Sequence, residues 1–228
     1  MNAILLDISN KPENKHHLDL LNSISKGLKE QKVSVEYINI SKLSISPCRG
    51  CTDDPVFLSN GKCLCQDDMQ KIYPKLQSSD LWIFSLYNNN NWTAQTFINF
   101  LDRMEPLYQP NFAISTNGNS HPRHKGKVAF IASSDNWESN AISIYSNHLK
   151  HFVKLFNRQF IGFIHRPHLW AIGMLQGMGV NIDDIFNAAI DAGKQMVSQK
   201  TLSKETLLTI SRPLIPKNIF TNDILISG

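Results

Sequence analysis

Five short apolar runs alternate along the chain with segments whose apolar residues recur at helical spacing. The runs have the length of buried strands, and the segments between them have the period of amphipathic helices. We predict strands at residues 3–8, 33–40, 81–86, 128–132 and 160–164. Because strands that alternate with helices pair in parallel, this order predicts an α/β fold with a five-stranded parallel sheet.

The segments between and after the strands complete this prediction. We expect helices at residues 18–28, from Asp67 onward, at 97–104, at about 139–156 and at 179–199. Pro74 is expected to kink or shorten the second helix, and residues 106–125 are expected to form a surface loop. A chain of 228 residues suits one domain. We therefore predict a single domain at residues 1–200, which contains a cysteine segment at 47–69, and an irregular C-terminal extension at 201–228.

Composition and charge exclude several classes of function. The net charge of +4 is spread along the chain without a block of like charges, so no nucleic-acid partner is expected. No apolar run reaches the roughly 18 residues that a membrane-spanning helix needs. The first residues lack the basic start and long apolar stretch of an export signal. We therefore expect a cytoplasmic protein that neither enters a membrane nor binds nucleic acid.

Three polar loops are predicted to lie at one edge of the sheet. Ligands of open parallel sheets bind beyond the carboxyl ends of the strands, and residues 9–17, 87–93 and 133–137 follow strands 1, 3 and 4. The first loop leads into a helix N-terminus, which suits a phosphate. The other two carry amides, hydroxyls and a tryptophan each, which suit a flat heteroaromatic ring. Together they predict a flavin mononucleotide (FMN) pocket, although solvated turns stay an alternative and the first loop has no glycine.

The candidate cofactor-binding residues are the polar and aromatic members of these loops. No side chain is assigned a catalytic role, because a flavin carries the chemistry itself. The candidates are Ser9, Lys11, His16, His17, Tyr87, Asn88, Asn89, Asn90, Asn91, Trp92, Ser133, Ser134, Asp135, Asn136 and Trp137.

All four cysteines of the chain lie in one segment. Cys48 and Cys51 have the spacing with which two sulfurs hold one metal ion or one edge of a cluster, and Cys63 and Cys65 follow. An iron–sulfur cluster, a zinc site, a regulatory dithiol and four unligated thiols stay open. The histidines of the HPRH (121–124) and HRPH (165–168) segments lack metal-ligand spacing, so we predict that they lie at the surface or at a subunit contact.

Most of the chain resembles the flavodoxin-like NAD(P)H-dependent FMN reductases, especially their iron–sulfur flavoprotein branch. The matching stretches are SPCRGC (46–51), GKC (61–63), DDM (67–69), SD (79–80), FLDR (100–103), EPL (105–107) and His121 with Arg123. The resemblance implies a three-layer α/β sandwich with strand order 2-1-3-4-5, bound FMN, and NAD(P)H as electron donor. It also implies a homodimer or homotetramer in which a neighbour completes the pocket. Asp54 stands where the family has its usual third cysteine, and Cys65 is an addition.

Two functions follow as hypotheses. The first is an FMN-dependent oxidoreductase that takes a hydride from NAD(P)H and passes electrons to a small-molecule or redox-protein acceptor. The second is a degenerate flavodoxin-like protein without flavin turnover that acts as a binding or assembly partner. A cluster at the four cysteines would make the first an iron–sulfur flavoprotein.

Overall fold

A five-stranded parallel sheet forms the centre of the protein. The computed structural model describes residues 1–9, 14–51, 63–88, 95–107, 126–135 and 149–216. Its strands are β1 (Asn2–Asp7), β2 (Ser34–Asn39), β3 (Leu81–Asn88), β4 (Lys127–Ser134) and β5 (Gln159–Arg166). They are hydrogen-bonded in the order β2-β1-β3-β4-β5, and every neighbouring pair is parallel. The prediction of a flavodoxin-like α/β fold with order 2-1-3-4-5 is therefore confirmed.

Helices cover both faces of the sheet. They are α1 (Lys15–Glu30), α2 (Met69–Ser78), α3 (Gln95–Asp102), α4 (residues 149–155 as described), α5 (Leu169–Gly177), α6 (Asp183–Ser198) and α7 (Lys204–Ser211). Apolar residues of α2, α3 and α4 share one core with the sheet, whereas those of α1, α6 and α7 share the core on the opposite face. None of the helices in the described ranges has the length and apolar character needed to cross a membrane.

Strand β1 shows why this sequence forms a central strand. Ala3 and Leu5 enter the α1/α6 core, while Ile4 and Leu6 enter the α2/α3 core. Side chains of a strand point alternately to its two faces, so a strand covered on both sides reads as a continuous apolar run. Asp7 ends that run and is itself fully buried. A buried carboxylate in this position requires hydrogen-bond partners.

Four details differ from the sequence-based prediction. Helix α2 continues past Pro74 to Ser78, so the expected shortening at the proline does not occur. Strands β3 and β4 extend to Asn88 and Ser134, because pairing continues through Tyr87–Ser133 and Asn88–Ser134. Helix α5 was missed because its apolar residues lie on all sides of the helix and therefore show no helical period in the sequence. Helix α7 lies in the extension that we predicted to be irregular, whereas residues 217–228 lie outside the described part.

The HRPH segment is buried within the chain, which corrects the prediction that its histidines lie at the surface or at a subunit contact. His165 and Arg166 belong to β5, and the guanidinium of Arg166 donates to the carbonyls of Ile210 at 2.6 Å and Arg212 at 2.7 Å. These carbonyls end helix α7, where a positive charge is favourable. Burial and, to a smaller extent, the nearby charge of Arg212 lower the pKa of Arg166 to about 9. The segment thus attaches α7 to the sheet. The HPRH segment lies outside the described residues.

Helices α1 and α6 approach each other through two glycines. An added Cβ on Gly27 would lie 1.9 Å from the carbonyl oxygen of Ile190, and one on Gly193 would lie 2.2 Å from that of Ile24. Both distances are far below van der Waals contact. The two helix backbones therefore touch, and this contact fixes α1 against α6.

Candidate functional site

A buried polar cluster lies at the carboxyl ends of β1, β3 and β4. In the order 2-1-3-4-5 the direction of chain winding reverses between β1 and β3, and ligands of such sheets bind beyond this switch point. The side chains gathered there are fully buried, although all of them are polar: Asp7, Ser9, His17, Ser85 and Ser133. We call these five residues the switch-point network. Buried polar groups of this kind must satisfy one another.

His17 connects the three strands of the switch-point network. Its Nδ1 lies 2.7 Å from Oγ of Ser133 on β4, and its Nε2 lies 3.0 Å from Oγ of Ser85 on β3. The same Nε2 lies 3.7 Å from Oδ1 of Asp7 on β1. Both ring nitrogens therefore contact protein atoms. His17 fixes the start of α1 against the strand ends instead of facing solvent.

Asp7 accepts hydrogen bonds through both carboxylate oxygens. Oδ1 accepts from Ser9 N at 3.0 Å and Ser9 Oγ at 2.5 Å, and Oδ2 accepts from Tyr37 Oη at 2.6 Å. Burial favours a higher pKa for Asp7, but its hydrogen bonds with His17, Ser9 and Tyr37 outweigh burial and lower the pKa below its usual value. Ser9 Oγ also accepts from Tyr87 N at 2.8 Å. A charged carboxylate thus organises the ends of β1 and β3.

Replacing Tyr37 by phenylalanine is expected to lower the free energy of unfolding by about 1–2 kcal/mol, because it removes a donor from a buried carboxylate. Since the folded-state pKa of Asp7 is lowered, its stabilisation is present above the unfolded-state pKa and is lost as pH falls through the folded-state pKa. Without Tyr37 that folded-state pKa rises, so acid unfolding should begin at higher pH. Urea unfolding across an acid pH series measures both effects.

The control is the same substitution in an Asp7→Asn background. In that background Tyr37→Phe should lower the free energy of unfolding by clearly less, because the effects of two substitutions on residues in contact do not add. Equal losses of unfolding free energy in the two backgrounds would contradict the hydrogen bond between Tyr37 and Asp7.

The N-terminus of α1 is capped by the chain itself. Asn14 Oδ1 accepts from the backbone N–H groups of His16 and His17, each at 3.1 Å. These two amides are therefore already bonded, and the His17 ring lies in the switch-point network. His16 is partly buried and packs on Gly173 of α5. Of the residues predicted to hold a phosphate, Ser9, His16 and His17 are thus not gathered around one open anion site, and Lys11 lies outside the described residues.

The ends of β3 and β4 are joined to α5 by Asp135. Tyr87 Oη donates to Oδ2 of Asp135, and Trp170 N donates to Oδ1 at 3.1 Å. Burial and, to a smaller extent, the hydrogen bond to Asp135 raise the pKa of Tyr87 to about 12. Beside them, Ser134 Oγ lies 3.1 Å from Nε2 of His165, whose pKa burial lowers to about 4, with the charge of Arg166 contributing. His165 is therefore neutral near pH 7.

The structure gathers some of the predicted site residues at one edge. Ser9, Tyr87, Ser133 and Asp135 join the hydrogen bonds described above, and the backbone of Asn88 ends β3. The other predicted contacts lie outside the described residues: Asn89, Asn90, Asn91, Trp92, Asn136 and Trp137. Sequence reasoning missed Asp7, Tyr37 and Ser85. A carboxylate or hydroxyl within an apolar strand was the signal available for Asp7 and Ser85.

The cysteine segment forms a second buried cluster. Cys63 and Cys65 are buried, whereas Cys48 and Cys51 are partly exposed. Arg103 Nε donates to Cys63 Sγ at 3.2 Å, and the same guanidinium donates twice to Asp67, at 2.8 and 3.1 Å. In the described ranges, which include all four cysteines, no group of three or more His, Cys, Asp or Glu side chains is placed to hold a metal ion. The predicted four-cysteine metal site therefore finds no support.

Electrostatics distinguish the two buried thiols. Burial favours a higher pKa for Cys63, but hydrogen bonds from the Cys65 backbone, Tyr73 and Arg103, together with the Arg103 charge, lower it below its usual value. For Cys65, burial and the neighbouring Cys63 raise the pKa, although Arg103 opposes them. The surroundings of the two thiols therefore move their pKa values in opposite directions, with that of Cys63 the lower.

The fold and the switch-point network define a flavodoxin-like protein, and the comparisons with known proteins give its family. The family model for NADPH-dependent FMN reductase matches residues 3–163, which is more than half of the chain. The chain therefore belongs to the NADPH-dependent FMN reductase family. The iron–sulfur branch of the family is not distinguished by this match.

Solved structures share the fold at low sequence identity. An FMN-dependent NADH-azoreductase from Bacillus anthracis aligns with a TM-score of 0.57 and 11% identity, over 86% of this chain and 99% of that one. An NAD(P)H:quinone oxidoreductase from Methanothermobacter marburgensis aligns with a TM-score of 0.55 and 12% identity, over 86% and 96%. An NADH:FMN oxidoreductase aligns with a TM-score of 0.53 and 12% identity, over 90% and 93%. No curated protein matches the chain.

Proposed function

We propose that this protein is an FMN-dependent NAD(P)H oxidoreductase that passes electrons to a small-molecule or redox-protein acceptor. The observation that carries the proposal is the switch-point network, which lies where ligands of this fold bind, in a chain of the NADPH-dependent FMN reductase family. The described residues fit a cofactor in this place, because their hydrogen bonds fix the strand ends from which the three predicted loops start. When bound, FMN supplies the hydride and electron transfer.

In this proposal the described side chains position the cofactor-binding loops. His17 holds β1, β3 and β4 at a fixed spacing through Asp7, Ser85 and Ser133. Asp135 holds the end of β3 against the start of α5. Preorganised loops bind a ligand more tightly, because less conformational entropy is lost on binding. These residues are therefore positioning residues, and their removal should weaken FMN binding.

Titration of the purified protein with FMN tests this proposal. We expect binding with micromolar or lower Kd and an upward shift of Tm that corresponds to about 2.7 kcal/mol when FMN is at 100 times Kd. The His17→Gln variant should bind FMN more weakly by about tenfold, or roughly 1.4 kcal/mol, while folding at the temperature of the titration. The matched control is His151→Gln, because His151 is exposed on α4. Equal affinity of the two variants would contradict the positioning role, and no FMN binding by the wild type would contradict the function.

The second candidate is a degenerate flavodoxin-like protein that acts as a binding or assembly partner. Its supporting observation is that the side chain of Asn14 already accepts hydrogen bonds from the backbone amides of His16 and His17. The carboxylate of Asp7 also lies 3.7 Å from the His17 ring, where its negative charge would repel a phosphate. A helix N-terminus binds phosphate through such free amides. This candidate predicts a folded protein whose Tm does not change with FMN. A clear upward shift would contradict it.

Exposed apolar side chains bear on the oligomeric state of the protein. We propose a homodimer or homotetramer in the cytoplasm. Exposed apolar side chains on and after α5, namely Trp170, Met174 and Met178, support a self-association surface next to Asp135. Light scattering measures the oligomeric state.

A further inference from the structure

The two buried cysteines of the cysteine segment lie side by side. Cys63 and Cys65 are buried, while Leu64 between them is about one-third exposed. Leu64 and Gln66 are exposed while Cys63 and Cys65 are buried, and this alternation is typical of an extended chain whose every second side chain points to the same side. Both cysteine side chains belong to the same hydrophobic core cluster. Their Cα atoms can be separated by at most roughly 7 Å, close to the upper limit for a disulfide.

A side chain of the next helix holds the backbone of this pair. Gln70 Nε2 donates to the carbonyl of Cys63 at 2.9 Å and to that of Cys65 at 2.7 Å. One amide group thus fixes both cysteines relative to α2. The backbone of the pair is therefore fixed beside the start of this helix.

Arg103 donates a hydrogen bond to Cys63, so its positive charge lies directly against this sulfur. Its Nε lies 3.2 Å from Cys63 Sγ, and its two Nη atoms are held by Asp67 and by the carbonyl of Ser46 at 3.0 Å. Arg103 itself is almost fully buried. A cation in such a position stabilises a thiolate, which is the nucleophile in thiol–disulfide exchange. The neighbouring thiol of Cys65 could then resolve a mixed disulfide formed on Cys63.

We propose that Cys63 and Cys65 form a reversible dithiol–disulfide pair, with Cys63 as the attacking sulfur and Cys65 as the resolving sulfur. The oxidant is a low-molecular-weight disulfide. The Cys63 thiolate attacks one sulfur of the oxidant, whose S–S bond breaks and releases a thiolate that takes a proton from solvent. Cys65 then loses its proton to solvent and attacks Cys63 Sγ, and the second thiolate leaves and is protonated. Two electrons pass from the cysteines to the oxidant, which becomes two thiols.

Peptide mapping after incubation with oxidised glutathione tests the proposal. Cleavage after lysine and arginine places Cys63 and Cys65 together in peptide 63–71, Cys48 in peptide 43–49 and Cys51 in peptide 50–62. The reduced full-length protein is equilibrated with oxidised glutathione, and remaining thiols are alkylated under denaturing conditions. We expect peptide 63–71 to carry an internal disulfide and no alkyl group, and reduced dithiothreitol to reverse this. Complete alkylation of both cysteines in peptide 63–71 would overturn the proposal.

Four variants assign the roles. Cys65→Ala should trap glutathione on Cys63, and failure to form this mixed disulfide would overturn the order of attack. Cys48→Ser/Cys51→Ser is the matched control and should leave the internal disulfide of peptide 63–71 unchanged. Arg103→Gln should slow the reaction by about tenfold or more, while Arg103→Lys should keep most of the rate. If Arg103→Gln does not fold, the wild type and Cys65→Ala still decide the outcome.

Discussion

Replacing Gly193 by alanine is expected to lower the free energy of unfolding by about 2–3 kcal/mol, even though alanine favours helices by about 1 kcal/mol over glycine. The new Cβ would lie 2.2 Å from the carbonyl oxygen of Ile24, and a backbone atom cannot rotate away as a side chain can. Helices α1 and α6 must then separate, which opens the core on that face of the sheet. The Tm should fall by roughly 5–10 °C. Gly27→Ala should act similarly, because its Cβ would meet the carbonyl oxygen of Ile190 at 1.9 Å.

Gly177→Ala is the matched control for both substitutions. It lies in helix α5, and no heavy atom lies within 4 Å of its added Cβ. Its free energy of unfolding should stay within about 0.5 kcal/mol of the wild type. A Gly193→Ala variant as stable as Gly177→Ala would contradict the backbone contact between α1 and α6. Chemical unfolding of the three variants measures the difference.

Replacing Arg103 by methionine is expected to lower the free energy of unfolding by about 3–5 kcal/mol, because it leaves a buried carboxylate without its partner. Asp67 loses both bonds from the guanidinium, and Cys63 Sγ loses its donor. Arg212→Met is the control, since Arg212 pairs with Asp184 in a more exposed position. That control should cost at most about 1 kcal/mol. Equal losses would contradict the assignment of Arg103 to a buried ion pair.

The loss caused by Arg103→Met should also depend on pH. Burial favours a higher pKa for Asp67, but the hydrogen bonds from Arg103, Ser46 and Met69 lower it below its usual value of 3.8. A lowered pKa stabilises the fold above the unfolded-state pKa, and this stabilisation is lost as pH falls through the folded-state pKa. The difference between wild type and Arg103→Met should therefore narrow as pH falls toward and below 3.8. A difference that stays constant would contradict ionisation of Asp67 in the folded protein.

The alternation of strand and helix patterns was enough to predict the sheet, because each buried parallel strand leaves an apolar run such as residues 81–86. The strand ends were harder to predict. Tyr87, Ser133 and Ser134 are polar or amphipathic and looked like loop residues, yet the pairing of β3 with β4 continues through them. Helix α5 lacked a helical period, and the buried HRPH segment resembled a surface turn.

The edge of the sheet that carries the site was predicted, but its central contacts were not. The positions of the loops follow from the topology, and the alternation of strand and helix patterns in the sequence predicts the topology. In the network around His17, the contact from His17 to Ser133 joins residues that are 116 positions apart. No local sequence pattern predicts such a contact. Arg103 is a similar case, because it lies 40 positions from the sulfur that it contacts. Sequence reasoning placed His17 against a phosphate, whereas the structure places its ring among buried partners.

Anaerobic reduction of the FMN-loaded protein by NADPH, followed through flavin absorbance, tests the central claim most directly. If the protein is an NAD(P)H-dependent flavin oxidoreductase, the bound flavin should be bleached by one equivalent of NADPH or NADH, and absorbance should return when an acceptor such as a quinone is added. FMN free in the same buffer gives the uncatalysed rate. Reduction no faster than that of free FMN with both nicotinamide nucleotides would contradict the claim.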